Sequence, residues 1–153
     1  MPFHSSYPST SSASASFSAV SDSELTRKIS TLQEIFLEQK LKIDELDDPL
    51  SIFDSYHAQL SQLLNFYTSD PNTTKFITSI LVPVLDSATQ TFSHDPRYRN
   101  DPRYLKLWLS YAKYCRDAED IFIYLSQEGI AQELATFYEE YALLLCEKNL
   151  KQA

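Results

Sequence analysis

The stretch HDPRYRNDPRYLKLWLSYA, residues 94–112, contains the sequence Asp-Pro-Arg-Tyr twice, and only the second copy leads into a long apolar segment. The residue before a proline is disfavoured in α geometry, so the first copy predicts the end of one helix and a turn. The second copy predicts the start of the next helix, with Asp101 as its N-cap and Pro102 in its first turn. We expect Asp95, in the first copy, not to be a cap. The new helix carries apolar residues at helical spacing, at Leu105, Trp108, Ala112 and Cys115.

Apolar residues recur at helical spacing in five other segments, which begin near residues 22, 49, 73, 117 and 131. Ser21 and Glu24 have the spacing of a capping box before the first of these helices. We expect Asp48 to cap the second helix, with Pro49 at the first helical position. Asp117 and Gly129, the only glycine in the chain, predict the N-cap and the left-handed C-cap of the fifth helix. With no strand pattern, the sequence predicts an all-α protein of about six helices.

Three of the predicted helices share an aromatic pattern. The segment LWLSYAKY from residue 107 aligns with FYEEYALL from residue 137 and with IFDSYHAQ from residue 52. Two large aromatic residues three positions apart, followed by a small or compact residue, are typical of tetratricopeptide-like repeats, whose paired helices stack into an array. The pattern favours a short, divergent, right-handed array of this kind. The predicted core residues are Phe53, Tyr56, Leu105, Trp108, Tyr111, Ala112, Phe137, Tyr141 and Ala142.

Composition argues against several classes of protein. One glycine in 153 residues leaves no glycine-rich phosphate loop or dinucleotide motif. The net charge of −8 argues against nucleic acid and anionic membrane surfaces as partners, and no apolar run approaches the roughly 20 residues of a membrane span. No catalytic, metal-binding or cofactor motif occurs, so we predict no enzyme activity, metal or cofactor. Cys115 and Cys146 lie in apolar helical patterns and predict reduced, buried thiols of an intracellular protein.

The first twenty residues differ from the rest of the chain. They contain eight serines and no Asp, Glu, Lys or Arg. Such a segment buries too little apolar surface to offset the entropy of ordering it. We therefore expect residues 1–20 to be a disordered Ser-rich tail and residues 22–153 to form one helical domain.

Several segments together resemble a known family. NDPRYLKLWLSYA (100–112), IFIYLSQEGIA (121–131) and ATFYEEYALLL (135–145), with DDPLSIFDSY (47–56) before them, are similar to the N-terminal region shared by the Bub-type kinases and the Mad-type or BubR-type proteins of the spindle assembly checkpoint. The resemblance covers about residues 45–150 and implies a tetratricopeptide-like fold. The chain has no Lys-Glu-Asn tripeptide, the degradation box of Mad-type members, which favours the kinase-type paralogue. A kinase-type parent would carry its Ser/Thr kinase beyond residue 153, so we expect this chain to be a fragment or truncated product.

Two functions from different classes stay open. The resemblance implies a non-catalytic interaction module that docks a checkpoint protein to a short peptide motif of the kinetochore scaffold, with other checkpoint proteins as further partners. It also implies a nuclear location, at kinetochores or centromeres in mitosis, and otherwise a cytoplasmic one. From the residues alone, a generic helical-repeat adaptor or scaffold with an unrelated protein client fits as well. The sequence assigns no partner-binding residue, indicating only the exposed parts of the second to fourth helices, and it leaves the oligomeric state open.

Overall fold

The computed structural model describes the backbone of residues 19–153 and the side chains of residues 23–153. The expected tail lies outside the described residues, apart from Ala19 and Val20, which belong to the first helix. The described part of the chain contains six α-helices and no strand, so the all-α prediction is confirmed. The helices are α1 (Ala19–Leu41), α2 (Leu50–Phe66), α3 (Pro71–Thr91), α4 (Pro102–Ala112), α5 (Ala118–Glu128) and α6 (Ala135–Gln152), with 3₁₀ turns at Ile43–Glu45 and Pro96–Tyr98.

Two of the expected helix caps are not at the helix starts. α1 begins at Ala19, so Ser21 lies inside the helix and the predicted capping box does not mark the helix start. α2 has Pro49 at the N-cap, with φ −65° and ψ −22°, and no side-chain cap, because the proline ring has no atom that can accept a hydrogen bond. Asp48 therefore lies one residue outside the cap position, and its carbonyl oxygen accepts a hydrogen bond from the Ser51 N–H at 3.1 Å.

α3 starts with an aspartate cap that was not among the predicted caps. The Asp70 carboxylate accepts hydrogen bonds from the Asn72 N–H at 3.1 Å and from the Thr73 hydroxyl at 2.5 Å. The bond from the Thr73 hydroxyl is the main reason that the pKa of Asp70 lies below its usual value. α3 thus begins at Pro71 rather than near residue 73. Pro83 lies inside this helix and has no N–H to donate to the backbone carbonyl four residues earlier.

The described helices form two compact units, and the boundary between the units falls between Val84 and Leu85, within α3. In the N-terminal unit, α1 and α2 pack through aromatic rings. The Phe36 ring stacks on Tyr56 with centroids 4.4 Å apart and meets Phe53 edge-on at 5.2 Å. The apolar core of this unit includes Leu25, Ile29, Phe36, Leu50, Phe53, Tyr56, Leu60, Ile77 and Leu81.

In the C-terminal unit, the core gathers around α4. The Tyr104 hydroxyl donates to the Thr89 carbonyl oxygen at 2.5 Å, and the Tyr111 hydroxyl donates to the Asp86 carboxylate at 2.9 Å. Burial is the main reason that the pKa of both phenols lies above the usual value. These bonds join α4 to the last turns of α3. The buried residues of α4 are Tyr104, Leu105, Leu107, Trp108, Tyr111 and Ala112.

α6 has the same aromatic pattern as α4 but is far less buried. Phe137 is its one buried residue, and Tyr141 is half-buried, with its ring stacked on Phe122 of α5 at 4.9 Å. Ala142, expected in the core, is exposed, as is Tyr138. The reason is the direction of packing: α6 contacts α5 through positions 137 and 141, and each following position is rotated by about 100° around the helix axis.

Candidate functional site

The two copies of Asp-Pro-Arg-Tyr form the same local structure. The Asp101 carboxylate caps α4 by accepting a hydrogen bond from the Arg103 N–H at 2.9 Å, and the Arg103 guanidinium reaches back to it at 2.8 Å. Asp95 makes the same contacts with Arg97, at 3.0 and 2.8 Å, and caps the 3₁₀ turn that follows. The Arg97 side chain holds the pKa of Asp95 below its usual value. The prediction that Asp95 is not a cap is therefore wrong: it caps a turn that the second Asp-Pro ends before a helix can grow.

The residues between the two copies fix the start of α6. The Arg99 carbonyl oxygen accepts a hydrogen bond from the Ala131 N–H at 2.7 Å, and the Asn100 side chain accepts one from the Glu133 N–H at 3.1 Å. Gly129 ends α5 in the left-handed conformation, with φ 71°. Together these contacts hold the α5–α6 connection and set the position of α6 within the C-terminal unit.

A groove of about 420 Å³ is lined by α4 and the residues just after it, by the start of α5 and by the middle of α6. Its apolar lining includes Leu109 and Ala112 from α4, Ala118 and Phe122 from α5, and Leu143 and Leu144 from α6. Leu143 is 58 % exposed, which is a large fraction for a leucine. The groove therefore presents apolar surface that one or two apolar side chains of a partner can cover.

Side chains of opposite charge line this groove from different segments of the chain. Lys113 and Arg116 follow α4, whereas Glu140 and Glu147 come from α6. Within residues 23–153, none of these four side chains forms an ion pair or hydrogen bond. The arrangement favours a ligand with its own charges in the opposite order, acidic towards α4 and basic towards α6.

An ionic contact holds α6 against the start of α5 beside the groove. The Lys148 Nζ lies 2.6 Å from Oε2 of Glu119 and 3.3 Å from Oδ1 of Asp117. The Asp117 carboxylate also caps α5, accepting a hydrogen bond from the Glu119 N–H at 3.0 Å. The hydrogen bond to Glu119 is the main reason that the pKa of Lys148 lies above its usual value. The α6 side of the groove is therefore positioned by this contact and by the stacked aromatic rings.

The two cysteines have different surroundings. Cys115 lines the groove, is half-buried, and donates through its thiol to the Tyr111 carbonyl oxygen at 3.4 Å. Burial raises the pKa of Cys115 to about 11, so its thiol stays protonated near neutral pH. Cys146 is exposed, contrary to the prediction of a buried thiol. It lies nine residues after Phe137, which places it half a turn away from the side of α6 that packs on α5.

A metal site and a membrane-spanning helix find no support in the part of the chain that the structure describes. There, no group of His, Cys, Asp or Glu side chains could hold a metal ion. None of the described helices combines the length and apolar character needed to cross a membrane. Two grooves in the N-terminal unit, of about 570 Å³ beside Pro83 and about 390 Å³ beside Arg27, are each lined by charges of one sign only.

The groove in the C-terminal unit overlaps the expected binding surface only in part. The expected surface lay on the second to fourth helices, whereas the groove is formed by α4 together with α5 and α6. Its charged residues belong to separate segments, so no local pattern shows that they line the same groove. The one available signal is the pair Lys113 and Arg116, two cations three residues apart directly after α4 in an acidic chain.

Comparisons with known proteins give the family. The family model described as Mad3/BUB1 homology region 1 matches residues 32–153. The mitotic spindle checkpoint component mad3 of Schizosaccharomyces pombe is 34 % identical over 134 residues, which cover 86 % of this chain and 41 % of that protein. A chain in a crystal structure of the mitotic checkpoint complex matches with a TM-score of 0.63 and 30 % identity, over 82 % of this chain and 57 % of that one. The crystal structure of the conserved N-terminal domain of the mitotic checkpoint component BUB1 matches with a TM-score of 0.64 and 26 % identity, over 78 % of this chain and 64 % of that one.

This chain spans less than half the length of the curated relatives it matches. The likeness to the BUB1 N-terminal domain confirms the helical, tetratricopeptide-like fold that the sequence predicted. The groove of the C-terminal unit lies wholly within the residues that the family model matches. The resemblance first read from the Asp-Pro-Arg-Tyr segments is confirmed, and the chain belongs to the Mad3/BUB1 homology region 1 family of spindle checkpoint proteins.

Proposed function

We propose that this chain is a non-catalytic interaction module of a mitotic checkpoint protein, and that it docks this protein to the kinetochore scaffold by binding a short peptide motif. The binding site is the groove between α4, α5 and α6. The observation that supports this most directly is the combination of exposed apolar surface at Leu143 with charged lining residues of both signs that have no partner among the described residues. Surfaces of this kind are typical of grooves that take an amphipathic peptide.

The groove indicates the chemistry of the peptide. An amphipathic helix places apolar residues three or four positions apart on one side, which suits the lining formed by Phe122, Leu143 and Leu144. Acidic residues of the peptide would face Lys113 and Arg116, and basic residues would face the glutamates of α6. The apolar contacts would provide most of the affinity, whereas the charges would fix the direction of the peptide.

Docking of this kind has consequences for the parent protein. The module would bring it to kinetochores in mitosis, where it would meet other checkpoint proteins, and the parent would be nuclear at that stage. A parent of the kinase type would carry its catalytic domain outside these residues. This module would then direct the parent to kinetochores and would take no part in catalysis.

The direct test is a titration of residues 1–153 with fluorescent peptides that tile the kinetochore scaffold of the same organism. We expect at least one peptide to bind with a micromolar Kd, about −8 kcal/mol. Leu143→Asp should weaken this binding at least tenfold, because it places a charge on the apolar lining. Leu150→Asp is the matched control, since Leu150 lies on α6 outside the groove and is 78 % exposed.

The second arm of the test uses charge and cell biology. Arg116→Glu should weaken binding of the same peptide. Lys151→Glu, an equal charge change near the end of α6, should leave this binding unchanged. In cells, the parent carrying Leu143→Asp should reach kinetochores less than the parent carrying Leu150→Asp. If no scaffold peptide binds and recruitment is unchanged, the docking proposal fails. Binding of an unrelated protein in the same groove would instead favour the generic adaptor.

A further inference from the structure

A second groove, in the N-terminal unit, has a different chemical character. It lies between α1 and α2 and has a volume of about 390 Å³. Its lining consists of Arg27, Lys28, Thr31, Leu32, Gln59, Gln62 and Leu63. None of these residues belongs to the groove proposed above for the scaffold peptide, so the two surfaces can be tested separately.

The charge on this groove is purely positive, in a chain with a net charge of −8. Arg27 forms no ion pair or side-chain hydrogen bond with any residue in the described range. Lys28 contacts Glu24 at 3.4 Å, but the two side chains are 55 % and 68 % exposed, so water and salt weaken their attraction. Both cations are therefore available to a negatively charged partner.

The rest of the lining suits a peptide rather than a small ion. Leu32 and Leu63 are half-buried and offer apolar surface. The side-chain amide of Gln62 has no partner among the described residues and can both donate to and accept from a peptide backbone. Among the described residues, the Gln59 amide forms a hydrogen bond only with the Ser55 hydroxyl, at 3.3 Å, on an exposed part of α2. An isolated anion would use the cations and leave the leucines and amides without a role.

We propose that this groove binds a short acidic peptide segment of another protein. One aliphatic or aromatic side chain of the segment contacts Leu32 and Leu63, and its carboxylates pair with Arg27 and Lys28. The glutamine amides hold its backbone. The acidic chain as a whole would repel an acidic peptide. The local positive charge of Arg27 and Lys28 is therefore the main reason to expect such a peptide at this groove.

The probe is a set of fluorescein-labelled nonapeptides, each with one Leu or Phe among four Asp or Glu residues, tested beside a matched set with Asn and Gln in their place. Binding to the full chain is measured by fluorescence polarisation at low and at high salt. We expect at least one acidic peptide to bind at least tenfold more tightly than its neutral counterpart, and to lose this advantage at high salt. If no acidic peptide is preferred, the proposal is wrong.

Variants and amide shifts then locate the peptide. The double variant Arg27→Glu with Lys28→Glu should bind the best acidic peptide more than tenfold less tightly than the wild type does. Adding this peptide to the wild type should shift the NMR amide signals of residues 27–32 and 59–63. Lys40→Glu with Lys42→Glu is the matched control, because these lysines lie outside the groove and the charge change is equal. Equal losses in both double variants, or shifts confined to residues 109–147, would overturn the proposal. Leu143→Asp, which alters the groove of the C-terminal unit, should leave this binding unchanged. A failure of the present proposal can therefore be distinguished from a failure of the scaffold-docking proposal.

Discussion

α4 and α6 have the same aromatic pattern, thirty residues apart, but they are held in place by different interactions. Six residues of α4 are buried, and its tyrosines bond to α3, whereas α6 buries only Phe137. α6 is attached to α5 by stacked rings and by the contacts of Lys148 with Glu119 and Asp117. A sequence pattern therefore sets what a helix can bury, while its neighbours set what it does bury.

The largest difference in stability between variants of α4 and α6 is expected at the equivalent positions 108 and 138. Trp108 is 2 % exposed, so Trp108→Ala should lower the free energy of unfolding by about 3–5 kcal/mol. Tyr138 is 53 % exposed, and Tyr138→Ala should cost less than about 1 kcal/mol. Urea unfolding of the two variants and the wild type measures both values. Similar losses at the two positions would mean that α4 and α6 are stabilised in the same way, against our interpretation.

A smaller effect is expected at the helix starts. Asp101 caps α4, so Asp101→Ala should cost about 1 kcal/mol, and Asp101→Asn should recover most of it, since Asn is an equally good cap. Asp95→Ala should cost less, because the turn that Asp95 caps is only three residues long. Thermal unfolding of the three variants is the measurement. If the two alanine variants lose equal stability, the short turn matters as much as the start of α4.

The smallest effect concerns the ionic contact of α6. Lys148→Met keeps the apolar stem and removes the charge, so it should lower stability slightly at low salt and hardly at all in about 1 M NaCl, where screening acts within about 3 Å. The raised pKa of Lys148 means that its stabilisation is fully present below the ordinary value of 10.5 and is lost as pH rises through the folded value. Wild type and variant should therefore converge in strong base. A difference that persists at high salt and high pH would show that packing, not charge, attaches α6.

The sequence predicted the elements whose signals are local. Asp101 and Gly129 each lie next to the helix end they define, so their roles can be read from a few neighbouring residues. Asp48 shows the limit of this approach, because the N-cap position of α2 falls on the following proline, one residue later. Residue types alone do not report such a shift.

The candidate groove was beyond prediction for a different reason. Lys113 and Glu147 are 34 residues apart in sequence, and only the packing of α4, α5 and α6 brings them to one groove. Ala142 failed as a core residue for the same reason, since the periodicity of α6 does not say which side has a neighbour. Both depend on tertiary contacts that no local pattern encodes.

The unequal surroundings of the two cysteines give the chain a built-in chemical reporter. An alkylating reagent reacts with the thiolate, so at neutral pH it should modify the exposed Cys146 first and Cys115, with its pKa near 11, much more slowly. Because Cys115 lines the groove of the C-terminal unit, a peptide bound there should slow its alkylation further, while the rate at Cys146 stays the same. The ratio of the two alkylation rates, read by mass spectrometry of the unaltered chain, would then measure how fully the groove is occupied.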